Sequence, residues 1–225
     1  MKNVVITGAN RGIGLELAKQ FSKVAYVYAL CRSDFPPQDL NDNIAVVRLD
    51  VTDESAVAAF AEKLDKKAVA IDLLINNAGM AGGDMNEAVK LDAQSVTEVF
   101  AVNAVAPMIV SLHLASALKR ADRPVMIAVS SRMGTHARLN TYNAEWWPYS
   151  ASKAALNMAV ASFAINEPDI KSICIHPGWV QTRMGGDGAD ISPQESVVGI
   201  KRLYDTIDRL QTGKMYNYDG TGMEW

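Results

Sequence analysis

Tyr149 and Lys153 stand four residues apart in the run Tyr149-Ser150-Ala151-Ser152-Lys153. On a helix that spacing stacks a phenol and an ammonium on one face, one turn apart. A free phenol ionises near pH ~10 and is a poor acid at neutrality. A fixed positive charge beside it favours the phenolate and lowers its pKa toward the working range. Such a pair can exchange a proton with an alcohol or a carbonyl. The same spacing also arises by chance on many helix surfaces, so its meaning depends on what surrounds it.

A second constellation lies near the N-terminus. Thr7-Gly8-Ala9-Asn10-Arg11-Gly12-Ile13-Gly14 follows an apolar run and opens a helical one. Glycines allow a sharp turn and close backbone approach, and a helix N-terminus offers free N–H groups and partial positive charge to a pyrophosphate. The spacing is Gly-x-x-x-Gly-x-Gly rather than the general dinucleotide Gly-x-Gly-x-x-Gly. Its position between strand and helix separates it from an ordinary glycine turn. At the end of the second apolar run the residues are Ala29-Leu30-Cys31-Arg32-Ser33. A carboxylate there would select NAD by binding the ribose hydroxyls. Arg32 in its place suits a 2′-phosphate, with Arg11 as a second cation, and predicts NADP. The alternative for Arg32 is a solvated surface arginine.

The elements that would position these residues alternate. Strands are expected at residues 4–7, 26–30, 45–49, 73–76, 125–130 and 172–175, all rich in Val, Ile and Leu without clean alternation. That composition fits strands covered on both faces. Helices are expected at 12–21, 53–64, 93–118, 149–165 and 193–210, with Pro107 kinking or splitting the long third one. Strand–helix–strand repetition implies an α/β fold, a doubly wound, Rossmann-type parallel sheet flanked by helices, in a single domain over residues 1–225. The glycine-rich residues 185–190 read as a mobile loop at a strand end, where ligands bind in such sheets.

Bulk properties narrow the field. With 225 residues, 49% of them hydrophobic, the chain can bury a sizeable core. A net charge of −3 without a basic stripe argues against nucleic acid or an anionic membrane surface as partner. Cys31 and Cys174 sit in apolar runs and read as buried free thiols of a reducing compartment. The first residues lead straight into a strand, and no uninterrupted apolar run reaches ~18–20 residues, so neither a signal peptide nor a membrane span is expected and a cytoplasmic location is. His113, His136 and His176 fit no zinc spacing, and no metal is expected.

Taken in order, these segments resemble the short-chain dehydrogenase/reductase family over nearly the whole chain. The glycine turn is followed by Asp50-Val51, Asn76-Asn77-Ala78-Gly79, Asn103, Ser131, Tyr149 with Lys153, and Pro177-Gly178 with Val180 and Thr182. The segment 176–182 and the ending 218–225 are similar to the C-factor and sniffer-type carbonyl reductase branch. The resemblance implies that Gly8, Asn10, Arg11, Gly12, Ile13, Gly14, Arg32, Asp50, Val51, Asn77, Ala78, Gly79, Pro177, Gly178, Val180 and Thr182, together with Tyr149 and Lys153, bind NADP(H). It implies Tyr149 as proton donor to a carbonyl and Ser131 as a hydrogen-bond donor to the same oxygen. Lys153 would hold the nicotinamide ribose, and Asn103 a water linking Lys153 to solvent. Ser130 points the other way along its strand and reads as structural.

The expected function is reduction of a ketone or aldehyde. A cofactor-binding signalling protein with little turnover is the alternative from another class, and an NADP-dependent alcohol dehydrogenase working oxidatively is the alternative among enzymes. Met133, Trp146, Trp147, Trp179 and Met184 are candidates for the pocket wall, His136 for a substrate contact, and His176 for a buried strand-end residue. A short segment 182–192 suggests an open site accepting varied carbonyl compounds. A homodimer through the helices at 93–118 and 149–165 is possible, although Pro168 ends the second early.

Overall fold

The computed structural model describes residues 1–82, 92–138 and 146–225. One eight-stranded sheet organises them, in the order β3-β2-β1-β4-β5-β6-β7-β8. The strands are β1 (Lys2–Thr7), β2 (Ala25–Cys31), β3 (Ile44–Arg48), β4 (Leu73–Asn76), β5 (Val125–Val129), β6 (Lys171–His176), β7 (Met215–Asn217) and β8 (Gly222–Met223). The first seven run parallel, and β8 turns back antiparallel on β7. The last two strands were not expected, because three-residue and two-residue strands lie below what periodicity can register.

The helices are α1 (Gly12–Phe21), α2 (Glu54–Lys66), α3 (Ala93–Phe100), α4 (Ala106–Lys119), α5 (Trp147–Asn166) and α6 (Pro193–Asp205). Their starts are set by local chemistry. Asp53 and Asp92 accept hydrogen bonds from Ala56 N and Ser95 N, and Ser192 with Glu195 forms a capping box ahead of Pro193. Both sheet faces are covered. Val4, Ile6 and Ile127 pack with Leu17, Phe21, Ile200 and Leu203 of α1 and α6. Val5, Leu74 and Met126 face the other way, onto Leu114, Leu118 and Val160 of α4 and α5. This double burial is why the strands carry no polar alternation.

Pro107 does not split its helix. Residues Ala101–Val105 form a π-helical turn between α3 and α4, and the helix continues through it. Proline has no N–H to give the carbonyl of Asn103 four residues earlier, and its ring crowds that carbonyl. Widening the preceding turn accommodates both effects. The run Ala93–Lys119 is 27 residues long and apolar enough by composition to cross a membrane, a length the uninterrupted-run criterion missed. Val110, Leu114, Ala117 and Leu118 bury one side of it in the core.

Candidate active site

Strand order reverses between β1 and β4, where chains leave toward opposite sides of the sheet. A crevice forms at the carboxyl ends of strands at such a point. The glycine turn occupies it. Gly8 and Gly12 have φ of 64° and 53°, in the left-handed region. A Cβ on Gly14 would lie 2.2 Å from the Gly8 carbonyl oxygen, and one on Gly8 would lie 2.9 Å from Ala78 Cα, so only glycine lets the turn and the β4 end meet. Asn77 ties them together. Its Nδ2 donates to the carbonyls of Thr7 (3.0 Å) and Gly8 (3.2 Å), while the Thr7 hydroxyl accepts from the N–H groups of Asn77 and Ala78, each at 3.0 Å. The result is a backbone cradle at the α1 N-terminus, where free N–H groups favour an anion.

Beside the cradle, Asn10 donates to Ser33 Oγ at 2.7 Å and fastens the turn to the β2 end. Asn10 therefore shapes the cradle from below. Arg32 extends into solvent and pairs with Asp50 at 3.5 Å. Desolvation pushes the Asp50 carboxyl up, but hydrogen bonds from Thr52 and the Arg32 charge outweigh it and hold the pKa below its usual value. Val51 is buried next to it in the core.

Ser131, Tyr149 and Lys153 converge at the far end of the crevice. The Ser131 side chain lines the same cavity as Tyr149, acts on the phenol by lowering its pKa, and accepts from Met133 N at 3.2 Å. Ser130 turns away, donating to Asn157 Oδ1 at 2.6 Å, and Asn157 in turn donates to the Gly134 carbonyl. Gly134 matters to this approach. A Cβ there would lie 2.7 Å from Lys153 backbone and side-chain atoms, so its absence lets the Ser131 turn close onto α5. Nothing in the sequence reading marked Gly134, Asn157 or Ser152, since isolated small and polar residues carry no spacing signal.

Lys153 is buried, and its Nζ donates to the Val129 carbonyl at 2.8 Å. Burial lowers its pKa to about 8, with Cys174 pulling the other way. The expectation that Lys153 lowers the Tyr149 pKa is corrected. Desolvation raises the phenol above its ordinary value, only the Ser131 hydrogen bond opposes it, and Nζ sits 5.8 Å from the ring centroid. The i,i+4 spacing places the two on one face without bringing the charge to the hydroxyl. Asn103, fully buried in the π turn, accepts from Met80 N and donates to Met80 O and Ser152 Oγ. Both amide N–H donors are thus committed, and a lone pair on Oδ1 is what remains for a water. A Cβ on Gly79 would stand 3.4 Å from that Oδ1 and 3.6 Å from Lys153 Nζ, so the bare glycine leaves space between them.

The sequence matches the short chain dehydrogenase family over residues 2–190. The chain belongs to that family. It is 35% identical to C-signal of Myxococcus xanthus over 162 residues, covering 69% of this chain and 93% of that protein. Its fold superposes on the NADPH-bound carbonyl reductase from chicken fatty liver with a TM-score of 0.88 at 30% identity, covering 100% and 99% of the two chains. It superposes on the carbonyl reductase Sniffer of D. melanogaster at 0.89 and 28%, covering both chains completely. The protein is thus a short-chain dehydrogenase-type oxidoreductase, and its relatives make a nicotinamide cofactor the group to fit to the cradle.

In this dehydrogenase a cavity of about 460 Å³ lies over Tyr149 and Ser131. Met133, Trp146, Trp179 and Met184 line it, as do Ile13, Val180 and Thr182. Trp147 does not; it starts α5 and faces outward, 45% exposed. Thr141 and Tyr142, between Ser131 and Tyr149, lie outside the described residues. His136 is exposed and lines no described cavity, whereas His176 lines two. His176 is held to about 4 by burial and then by the Arg132 charge, so the imidazole is neutral at pH 7. Beyond it a second chamber of about 760 Å³ shares Arg132, His176, Gly178 and Trp179 with the first and carries Asp190, Asp219 and Glu224.

The segment after β6 is more tightly built than a mobile loop. Gly178 has φ 89°, and a Cβ there would meet Ile191 Cδ1 at 2.4 Å; Ser196 Oγ donates to Pro177 O at 2.6 Å. Trp179 Nε1 donates to Gly185 O, Gln181 Nε2 to Ala189 O, and Val180 bridges Ile191. Residue spacing gave only the glycines; these hydrogen bonds come from chain reversals invisible in composition.

Proposed function

We propose that this dehydrogenase is an NADPH-dependent carbonyl reductase in which Tyr149 gives the proton. The observation that carries the reading is Ser131 and Tyr149 together on the wall of one apolar cavity, beside a buried lysine. The cofactor, when bound, would supply the hydride. Everything else falls to the chain. Tyr149, kept protonated by desolvation, is an acid able to protonate a carbonyl oxygen as charge builds on it. Ser131 donates to the same oxygen, and the apolar wall keeps water out. Lys153 spends one N–H on Val129 O and has others left for a ribose hydroxyl. Gly8, Gly12, Ile13, Gly14, Asn77, Ala78 and Gly79 would form the phosphate and nicotinamide floor, and Pro177, Gly178, Val180 and Thr182 the opposite wall. Arg32 would favour the 2′-phosphate, with Arg11 in reach of both it and the pyrophosphate and Asp50 and Val51 beside the adenine.

The apolar cavity opening onto a polar chamber suits varied carbonyl compounds with an apolar group near the reacting carbon. A second copy of the chain is the partner that fits α4 and α5. Val105 and Leu112, and Met158 and Ile165, are pairs seven residues apart and stand 55%, 57%, 69% and 79% exposed. Buried free thiols at Cys31 and Cys174 support a reducing, cytoplasmic setting. C-signal similarity favours a second reading, a cofactor-binding signalling protein with little turnover.

NADPH oxidation against a panel of ketones and aldehydes separates the two. Wild type is expected to turn over several substrates. Tyr149→Phe should lose at least ~10²-fold in kcat while still binding NADPH. NADPH binding with no turnover on any carbonyl would favour signalling, and full activity in Tyr149→Phe would end the proposed mechanism.

A further inference from the structure

Arg183 has no part in the site described so far, yet its position gives it one. Thr182, the residue before it, rests against the glycine turn: its Cγ2 is 3.2 Å from where a Gly12 Cβ would be. A compact turn then fixes the chain, with Gly186 N donating to Thr182 O at 2.9 Å and Gly185 N to Thr182 Oγ1 at 3.1 Å. Thr182 and Met184 line the apolar cavity, but Arg183 between them does not and is exposed. Its backbone follows Thr182, which touches the glycine turn, so Arg183 starts beside the cradle. Arg11 lies on the other wall, at the α1 N-cap, likewise exposed. Its pKa is lowered first by burial and then by the charges of Arg183 and Arg32, in that order, which places Arg183 within electrostatic reach.

Among the described residues neither Arg11 nor Arg183 has a carboxylate partner, whereas Arg32 has Asp50. Two unpaired guanidinium groups within electrostatic reach of each other repel, and repulsion of this kind is relieved by an anion between them. The anion must reach the α1 N-terminus, where the backbone already favours a pyrophosphate. Resting on the cofactor reading above, we infer that Arg183 and Arg11 form a two-sided clamp on the cofactor pyrophosphate, with Arg183 a cofactor-positioning residue separate from the 2′-phosphate site at Arg32. Arg183 closes from the segment after β6 and Arg11 from the glycine turn, so the phosphates bridge the two walls of the crevice.

The test is equilibrium binding of three probes, NADPH, NADH and adenosine 2′-monophosphate, to wild type, Arg183→Gln, Arg32→Gln and the surface control Arg209→Gln. Arg183→Gln should weaken NADPH and NADH by the same factor, about tenfold for a lost charge-assisted contact, and leave adenosine 2′-monophosphate, which carries neither phosphate of the pyrophosphate, unchanged. Arg32→Gln should weaken NADPH and adenosine 2′-monophosphate but spare NADH. Arg209→Gln should change nothing. Arg183 is exposed, so the variant should melt with wild type. Unchanged NADPH and NADH binding in Arg183→Gln, or a loss confined to ligands carrying the 2′-phosphate, would overturn the clamp while leaving the reductase reading intact. A wild type that binds neither dinucleotide would fell both.

Discussion

Tyr149 and Lys153 are each pushed toward the neutral form, the phenol by a raised pKa and the lysine by one lowered to about 8. Burial without a counter-charge does this to both groups. Among the described residues Lys153 has no carboxylate partner, and one carbonyl oxygen holds it. Because the folded pKa lies below the unfolded value of 10.5, the unfolded chain binds more protons between about pH 8 and 10.5. The cost of burying Lys153 is therefore fully present below pH 8 and fades as pH rises to 10.5. Cys174, raised from 9.0 to about 12, acts in the opposite sense above pH 9, so wild type alone would blur the effect. Lys153→Met isolates it. The variant should be more stable than wild type at pH 7 by up to about 3 kcal/mol, with the gap closing toward pH 10.5. Denaturant melts across that range would show it, and a pH-independent gap would assign the difference to packing.

At the scale of elements, Gly134 and Pro107 decide how the site is assembled. The turn after β5 reaches α5 only because Gly134 has no side chain. Gly134→Ala should displace the Ser131 turn from Tyr149, lowering kcat and costing roughly 1–3 kcal/mol through overpacking. Paired turnover and denaturation measurements test this. A variant that loses stability but keeps kcat would show that the turn yields without moving Ser131. Pro107 was legible as a disturbance but not as a π turn. Its missing N–H is read from one residue, while the outcome depends on neighbours that hold the widened turn, Met80 and Ser152 around Asn103. Helix starts were nearly readable because caps are local, as at Asp53 and Ser192. Ser131 and Ser130 could be separated by strand alternation, and their partners Tyr149 and Asn157 follow that separation.

For the whole molecule, the crevice and the outer face of α4 and α5 lie on different sides of the fold's chemistry. The apolar pairs on those helices remain uncovered in a single chain. If a second copy covers them, sedimentation should show a dimer for wild type and a monomer for Met158→Glu combined with Ile165→Glu, with the melt of each chain otherwise cooperative. A wild type that sediments as a monomer at all concentrations would exclude the dimer.

What the sequence determined by itself was the alternation of apolar strands and helices, the glycine turn, and the ordered residues that define the family. These are local patterns or short spacings, and each is set by backbone geometry within a few residues. Only the tertiary structure decided the electrostatics of Tyr149 and Lys153, because desolvation depends on every chain segment packed around a group. It also decided that Trp146 enters the cavity while Trp147 leaves it, and that Arg183, from the segment after β6, comes within electrostatic reach of Arg11 near the first strand. Proximity between residues 172 positions apart in the chain is a property of the folded sheet, and no spacing along the sequence encodes it.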